Sequence, residues 1–139
     1  MTQSVVERTI MWGDLDALGI VFYPRYYEWI DACGHIFFNE LGLNLDTLWS
    51  ERGILFGLGE TSCRYHRPGR YLQTVRIVTE IESLDDKRIH LSHRIYLCED
   101  NALLVDGLEK RICMDVSNPA RLHACNIPTD ISEILRGAL

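Results

Sequence analysis

No stretch of this chain is apolar for anything near the roughly 20 residues that cross a bilayer, no run of basic residues appears, and no two cysteines form a Cys-x-x-Cys pair. The first absence speaks against a spanning helix and predicts no membrane partner. The second, with a net charge of -6, speaks against a general nucleic-acid binder, although a phosphorylated small molecule needs only a local cluster of Lys or Arg. The third leaves five cysteines, at 33, 63, 98, 113 and 125, odd in number and widely spaced. They read as reduced, mostly buried thiols and not as a disulfide framework or a zinc site. His90 and His93 are three apart in a predicted strand, so they point to opposite faces and share no metal. No metal or other cofactor is expected. Residues 1–8 are polar and of mixed charge, unlike a secretory signal, and the expected compartment is the cytoplasm. Repeats, linkers and low-complexity segments are also lacking, so the 139 residues read as one domain able to bury a core.

What is present divides by period. Residues 5–12 read as a first strand and residues 13–22 as a loop loosened by Gly13 and Gly19. Pro24 suits the first position of a helix, where its missing N–H would have no partner. From there Tyr26, Ile30, Cys33, Phe37 and Leu41 recur at helical spacing, widened by Trp29, Ala32 and Ile36. A helix apolar around so much of its girth is buried, and Gly42 is its expected C-terminal cap. Residues 44–53 read as a second short helix or an irregular cover.

The period then changes to two. Residues 55–65 form one predicted strand. Val75, Ile77 and Ile81 alternate with Arg76, Glu80 and Glu82, and Ile89, Leu91, Ile95 and Leu97 with His90, Ser92, Arg94 and Tyr96. In the last set Leu108, Lys110, Ile112, Met114 and Val116 alternate with Glu109, Arg111 and Asp115, which puts Glu109 and Arg111 on the side away from the apolar set. Short polar turns at 84–87 and 99–101 join neighbours as antiparallel hairpins. Pro119 breaks the last strand, and Pro128 opens a final helix over 129–135. One buried helix against about five antiparallel strands is an α+β domain. Such a sheet leaves two open edges, and edge pairing into a homo-oligomer would close them.

The chemistry gathers where the loop meets the long helix. Helix N-terminal N–H groups are unpaired and carry the positive end of the dipole, so they can polarise a carbonyl oxygen. Since Pro24 donates nothing, Tyr23 offers the best such N–H, and one donor of this kind contributes on the order of 3 kcal/mol in a transition state. Asp14 and Asp16 lie in the preceding loop; Asp14, like many turn carboxylates, reads as holding the loop through backbone N–H groups. Asp31 lies one helical turn beyond Tyr27 and two beyond Tyr23. A carboxylate in a buried helix needs a partner, and Arg94, a dimer-mate's side chain or a substrate could supply it.

The run Gly13-Asp14-Leu15-Asp16-Ala17-Leu18-Gly19-Ile20-Val21, followed by Tyr23-Pro24-Arg25-Tyr26-Tyr27-Glu28-Trp29, resembles the 4-hydroxybenzoyl-CoA thioesterase family of hotdog-fold enzymes. Arg52-Gly53-Ile54, the Arg67-Pro68 turn and the Ile127-Pro128-Thr129-Asp130 ending resemble family features at matching places. The resemblance implies a hotdog fold, an antiparallel sheet wrapped around one long central helix over residues 1–139. It also implies dimers with a continuous sheet, often paired into homotetramers, with active sites at the dimer interface.

The activity it implies is hydrolysis of an acyl-CoA thioester without metal or other cofactor. Asp16 matches the family's catalytic aspartate, as nucleophile or general base, with the Tyr23 N–H as the donor to the carbonyl. In aromatic-acyl members an acid at the place of Asp31 can meet a ring hydroxyl, so Asp31, Tyr26, Tyr27 and Trp29 are expected to line the pocket. Lys87 and Arg88, with Arg64, Arg67 and Arg70, are the candidates for the CoA phosphates. His35 and the His123/Cys125 pair read as a core histidine and a buried thiol, not as a nucleophile and its base. The alternatives are a short- or medium-chain acyl-CoA thioesterase of the Tol–Pal-associated type, which often has His where this chain has Pro24, a dihydroxynaphthoyl-CoA thioesterase, and a non-catalytic acyl-thioester binder. A hotdog dehydratase would need a histidine at the loop or helix start, where there is none.

Overall fold

A computed structural model describes residues 1–139 and contains one long helix wrapped by an antiparallel sheet. The elements, in chain order, are β1 Ser4–Thr9, helix α1 Pro24–Glu40, β2 Ile54–Tyr65, β3 Thr74–Leu84, β4 Arg88–Leu97, β5 Leu103–Asp115, β6 His123–Ala124 and a C-terminal helix Thr129–Gly137. The sheet runs β1-β3-β4-β5-β2, with the short β6 added to β5. The expected α+β class and the hairpins at 84–87 and 99–101 are therefore found. The first strand is shorter than the periodicity predicts, because residues Trp12–Asp14 coil into a 3-10 turn. Residues 44–53 fold as a brief α turn, Leu45–Thr47, running into a π turn, Leu48–Arg52.

Helix α1 begins at Pro24 and ends where Gly42 takes φ 82. There the Gly42 N–H reaches the Asn39 carbonyl at 3.0 Å and the Leu43 N–H the Phe38 carbonyl at 2.8 Å, which satisfies two of the last carbonyls. Its apolar stripe packs on the concave face of the sheet. No helix is long and apolar enough to cross a membrane.

One strand is out of the phase its apolar residues suggest. On β5 the residues facing α1 are Val105, Gly107, Glu109, Arg111 and Cys113, all buried, while Leu108, Lys110, Ile112 and Met114 lie on the outer face. The charged pair is tolerated inside because it is internally matched: an Arg111 guanidinium nitrogen donates to Glu109 Oε2 at 2.8 Å, and His93 Nε2 lies 2.8 Å from Glu109 Oε1. A buried charge that finds an opposite charge and hydrogen bonds avoids most of its desolvation penalty. Register places Thr79 opposite His93 and His93 opposite Gly107, so polar side chains form a seam across the sheet. The seam divides the core into two apolar clusters, one around Phe37, Phe38 and Phe56, the other around Tyr26, Trp29 and Ile30. His90 lies on the opposite face from His93, as their spacing predicts.

Candidate active site

The loop before α1 is built on its two aspartates, which do different things. Asp14 is buried. Its Oδ2 accepts the Met11 N–H at 2.8 Å, its Oδ1 meets Arg8 at 3.3 Å, and its backbone carbonyl accepts the Phe22 N–H at 2.8 Å. It pins both ends of the loop. Asp16 sits at a tight turn closed by Gly19, whose φ of 75 suits a residue without a Cβ. The Asp16 N–H donates to the Ile20 carbonyl at 2.9 Å, and its Oδ1 accepts the Leu18 N–H at 2.8 Å. Its Oδ2 has no protein partner and Asp16 is only half-buried, so one oxygen is oriented and the other is free to react.

The loop is docked against the β2–β3 connection. The Val21 N–H donates to the Gly69 carbonyl at 3.0 Å, and the Gly69 N–H donates to the Tyr26 hydroxyl at 3.2 Å. A Cβ on Gly69 would come within 2.7 Å of Ile10 and 3.1 Å of the Tyr26 hydroxyl, so glycine lets the connection close on the helix. Burial pushes the Tyr26 phenol above its ordinary range, which keeps it neutral as a partner for Gly69.

At the helix start the Arg25 N–H reaches the Phe22 carbonyl and the Tyr26 N–H the Tyr23 carbonyl. The Tyr23 N–H makes no hydrogen bond, and Pro24 has none to offer. Beside this unpaired donor opens a cleft of about 320 Å³ lined by Ile20, Val21, Tyr23, Tyr26 and Tyr65, with His66, Arg67 and Pro68 at its rim. The Asp16 loop reaches this cleft through Ile20, which accepts the Asp16 N–H, and an oriented carboxylate that meets a carbonyl held by a free helix-terminal N–H can attack it or direct water at it.

The thiols near this end are poor rivals for the role: burial pushes Cys33 and Cys63 up to about 11 each, so both are protonated near neutrality. His123 and Cys125 are engaged elsewhere, His123 Nδ1 with the Arg121 carbonyl at 3.1 Å and Cys125 Sγ beside Cys113 Sγ at 3.5 Å.

The other sequence-derived residues scatter. Tyr27 is half-buried, with its hydroxyl beside Cys63 and Tyr65. Trp29 is buried in the core with Arg8 stacked on its ring at 4.6 Å, and it does not line the cleft. Asp31 is on the surface, its side chain 52 % exposed, and its partner is Arg111 at 2.7 Å, not Arg94, which instead meets Glu80 at 3.7 Å. Lys87 and Arg88 are in the β3–β4 hairpin, at the far end from the cleft by the length of β3, roughly 30 Å. Arg64 is on the outer face of β2, Arg70 bridges to Ile20, and Arg67 reaches the rim while paired to Asp100 at 3.0 Å. Residues that the periodicity gave no reason to pick are Tyr65 and His66, brought to the cleft by the β2–β5 register, and Arg111.

The thioesterase-like superfamily model matches residues 10–135, nearly the whole chain. The chain belongs to the thioesterase-like superfamily. It is 28% identical over 144 residues to the 4-hydroxybenzoyl-CoA thioesterase of Pseudomonas sp. strain CBS-3, an alignment covering 96% of this chain and 99% of that one. A solved gentisyl-coenzyme A thioesterase superposes with a TM-score of 0.80 at 32% identity, covering 96% of this chain and 99% of the other. With the 1,4-dihydroxy-2-naphthoyl-CoA hydrolase of Thermosynechococcus vestitus the identity is 23% over 90 residues, 65% of this chain and 62% of that relative. The superfamily's hotdog architecture is the one expected from the loop–helix motif, and its members' enzyme class, thioester hydrolase, is that of this chain.

Proposed function

We propose that this member hydrolyses an aromatic, hydroxybenzoyl-like acyl-CoA to the free acid and CoA. The observation that carries the reading is the unbonded Tyr23 N–H at an aromatic-lined cleft, with the half-free Asp16 carboxylate on the loop whose Ile20, bonded to the Asp16 N–H, lines that cleft. In the nucleophilic route Asp16 Oδ2 forms a C–O bond to the carbonyl carbon and the C–S bond breaks, releasing CoA as thiolate. Water then splits the mixed anhydride, returning the carboxylate. In the general-base route Asp16 takes a proton from the water that attacks directly. Both use the Tyr23 N–H for the oxygen that gains charge.

The ring would lie along the helix stripe Tyr23, Tyr27, Asp31. Eight residues of rise, about 12 Å, separate Tyr23 from Asp31, the reach of a para-hydroxybenzoyl group with a hydrogen bond at each end. Asp31 Oδ2 has no protein partner and would accept the ring hydroxyl. The known aromatic substrates in the names of the matched relatives point the same way.

The working form we infer is a homodimer or a homotetramer made as a dimer of dimers. Strand β2 is an unpaired edge of 12 residues with Leu58 and Tyr65 exposed along it, and pairing it with a second copy would cover the cleft side. Lys87 and Arg88 could then meet CoA phosphates only in a neighbouring subunit's site, given their distance from their own. The cytoplasm remains the proposed compartment.

The test is a panel of 4-hydroxybenzoyl-, gentisyl-, dihydroxynaphthoyl- and butyryl-CoA. A kcat/KM highest for a hydroxylated aromatic thioester is expected. Equal or better turnover of butyryl-CoA would favour the aliphatic alternative, and calorimetric binding without turnover would leave only a thioester binder.

A further inference from the structure

The seam across the core does more than fill space. Thr79 Oγ1 lies 2.8 Å from His93 Nδ1, His93 Nε2 lies 2.8 Å from Glu109 Oε1, and Glu109 Oε2 accepts from Arg111 at 2.8 Å. An ionised carboxylate only accepts, so His93 donates through Nε2. The helix crosses this row at Gly34, where a Cβ would come within 2.9 Å of Glu109 Oε1. Arg111, with a side chain 3 % exposed, also donates to the Phe56 carbonyl at 3.1 Å. Its planar guanidinium is thus held at two buried points before it meets anything at the surface.

Its last contact does leave the core. The nitrogen that donates to Glu109 also donates to Asp31 Oδ1 at 2.7 Å. The buried pair is already matched without Asp31, so the extra bond serves the exposed residue. A lone surface aspartate on a helix samples several rotamers, whereas a short charge-assisted bond to an immobile fork holds one. Held this way, Asp31 keeps Oδ2 open on the stripe it shares with Tyr23 and Tyr27. His35, 3.6 Å from the same oxygen, is a weaker anchor: burial first, then the Arg111 charge, lowers its affinity for a proton. Arg111 is the permanent cation.

We propose that Arg111, fixed by Glu109 and His93, is a positioning residue that aims Asp31 at the ring hydroxyl of the acyl group and so sets selectivity for hydroxylated aromatics. The inference rests on the aromatic-thioester reading above and adds to it a residue that never touches substrate.

The readout is the ratio of kcat/KM for 4-hydroxybenzoyl-CoA over benzoyl-CoA, measured in the wild-type protein, D31N, R111K and D31N/R111K. One hydrogen bond to a charged group sets the scale, so a wild-type ratio of about tenfold or more is expected. It should collapse towards one in D31N. R111K keeps the buried charge but loses the planar fork, whose second nitrogen is tied to the Phe56 carbonyl, and a flexible ammonium without that tie no longer holds Asp31 in one rotamer, so most of the ratio should be lost there too. In the D31N background R111K should change the ratio no further. A ratio retained in R111K but lost in D31N overturns the positioning role alone, as does a further fall in the double variant, which would mark a general structural effect. A flat wild-type ratio overturns the ring reading and the positioning role with it. If R111K does not fold by circular dichroism, E109Q decides: it keeps the side-chain volume but removes the charge that fixes Arg111. A ratio reduced about threefold is then expected, and an unchanged one overturns the proposal.

Discussion

The two sides of the polar seam are made from similar apolar strands yet end differently. Beyond it, around Phe37, Phe38 and Phe56, Ile131 and Leu135 of the C-terminal helix close the core with apolar side chains. Before it, around Tyr26, Trp29 and Ile30, the cover is the Asp14–Asp16 loop, and the helix aromatics carry polar handles. Tyr26 spends its hydroxyl on the Gly69 N–H, where a Phe would leave that donor unpaired. Apolar closure tolerates nothing but burial. A loop closure leaves backbone donors and a carboxylate at the surface, and there a cleft can form. On the proposed function, reactivity and rigidity are set at opposite ends of one helix.

If the division is real, Asp16→Asn should cause the largest change in activity and almost none in stability. Asn keeps an oxygen for the Leu18 N–H but is neither a nucleophile nor a base, so kcat should fall by about 10²–10⁴-fold. Thermal melting should shift by little, since Asp16 is half-exposed and the loop is pinned by Asp14. Turnover like that of the wild-type protein would remove Asp16 from the reaction; a large drop in melting temperature would show that both aspartates hold the loop.

Phe37→Ala probes the closed side with the opposite signature. Phe37 is fully buried, and its truncation should lower unfolding stability by about 3–5 kcal/mol through lost burial and a residual cavity. Urea titration would read this as a lower midpoint. The ratio between aromatic and aliphatic thioesters should stay as in the wild-type protein below the transition. A changed ratio would mean that the seam transmits packing defects to the cleft.

The sequence made one side of this comparison much more legible than the other. The helix stripe, its Pro24 start and Gly42 end, and the loop aspartates are local signals, and the structure keeps each element close to where periodicity puts it. Asp14 is the structural carboxylate expected of it. Strand β5 was opaque because alternation records only which residues share a face, not which face is inside. Leu108, Ile112 and Met114 look like core, yet the inner positions belong to Glu109 and Arg111. Their partners, His93 and Asp31, lie 16 and 80 residues away in sequence, beyond any local window. For the same reason Asp31 is on the surface in place of a buried helix interior, and Tyr65 enters the cleft only through register.

The smallest effect is expected where the closed end touches solvent. Arg52 from the π turn forms a two-pronged pair with Asp130 at the start of the C-terminal helix, both distances 2.9 Å. The guanidinium holds the Asp130 carboxyl down to about 2, below its usual value near 3.9. A carboxyl depressed on folding contributes stability that is present above the unfolded value and lost as pH falls from about 4 through about 2. Because both groups are exposed, that contribution is small and screened by salt. Asp130→Asn should therefore lower the melting temperature slightly at neutral pH and low salt. The difference from the wild-type protein should shrink with added salt and vanish at the acid end of a calorimetric pH series. A large, salt-resistant drop would show that this helix is held by its ion pair and not by Ile131 and Leu135, and the closed end would then owe its closure to charge.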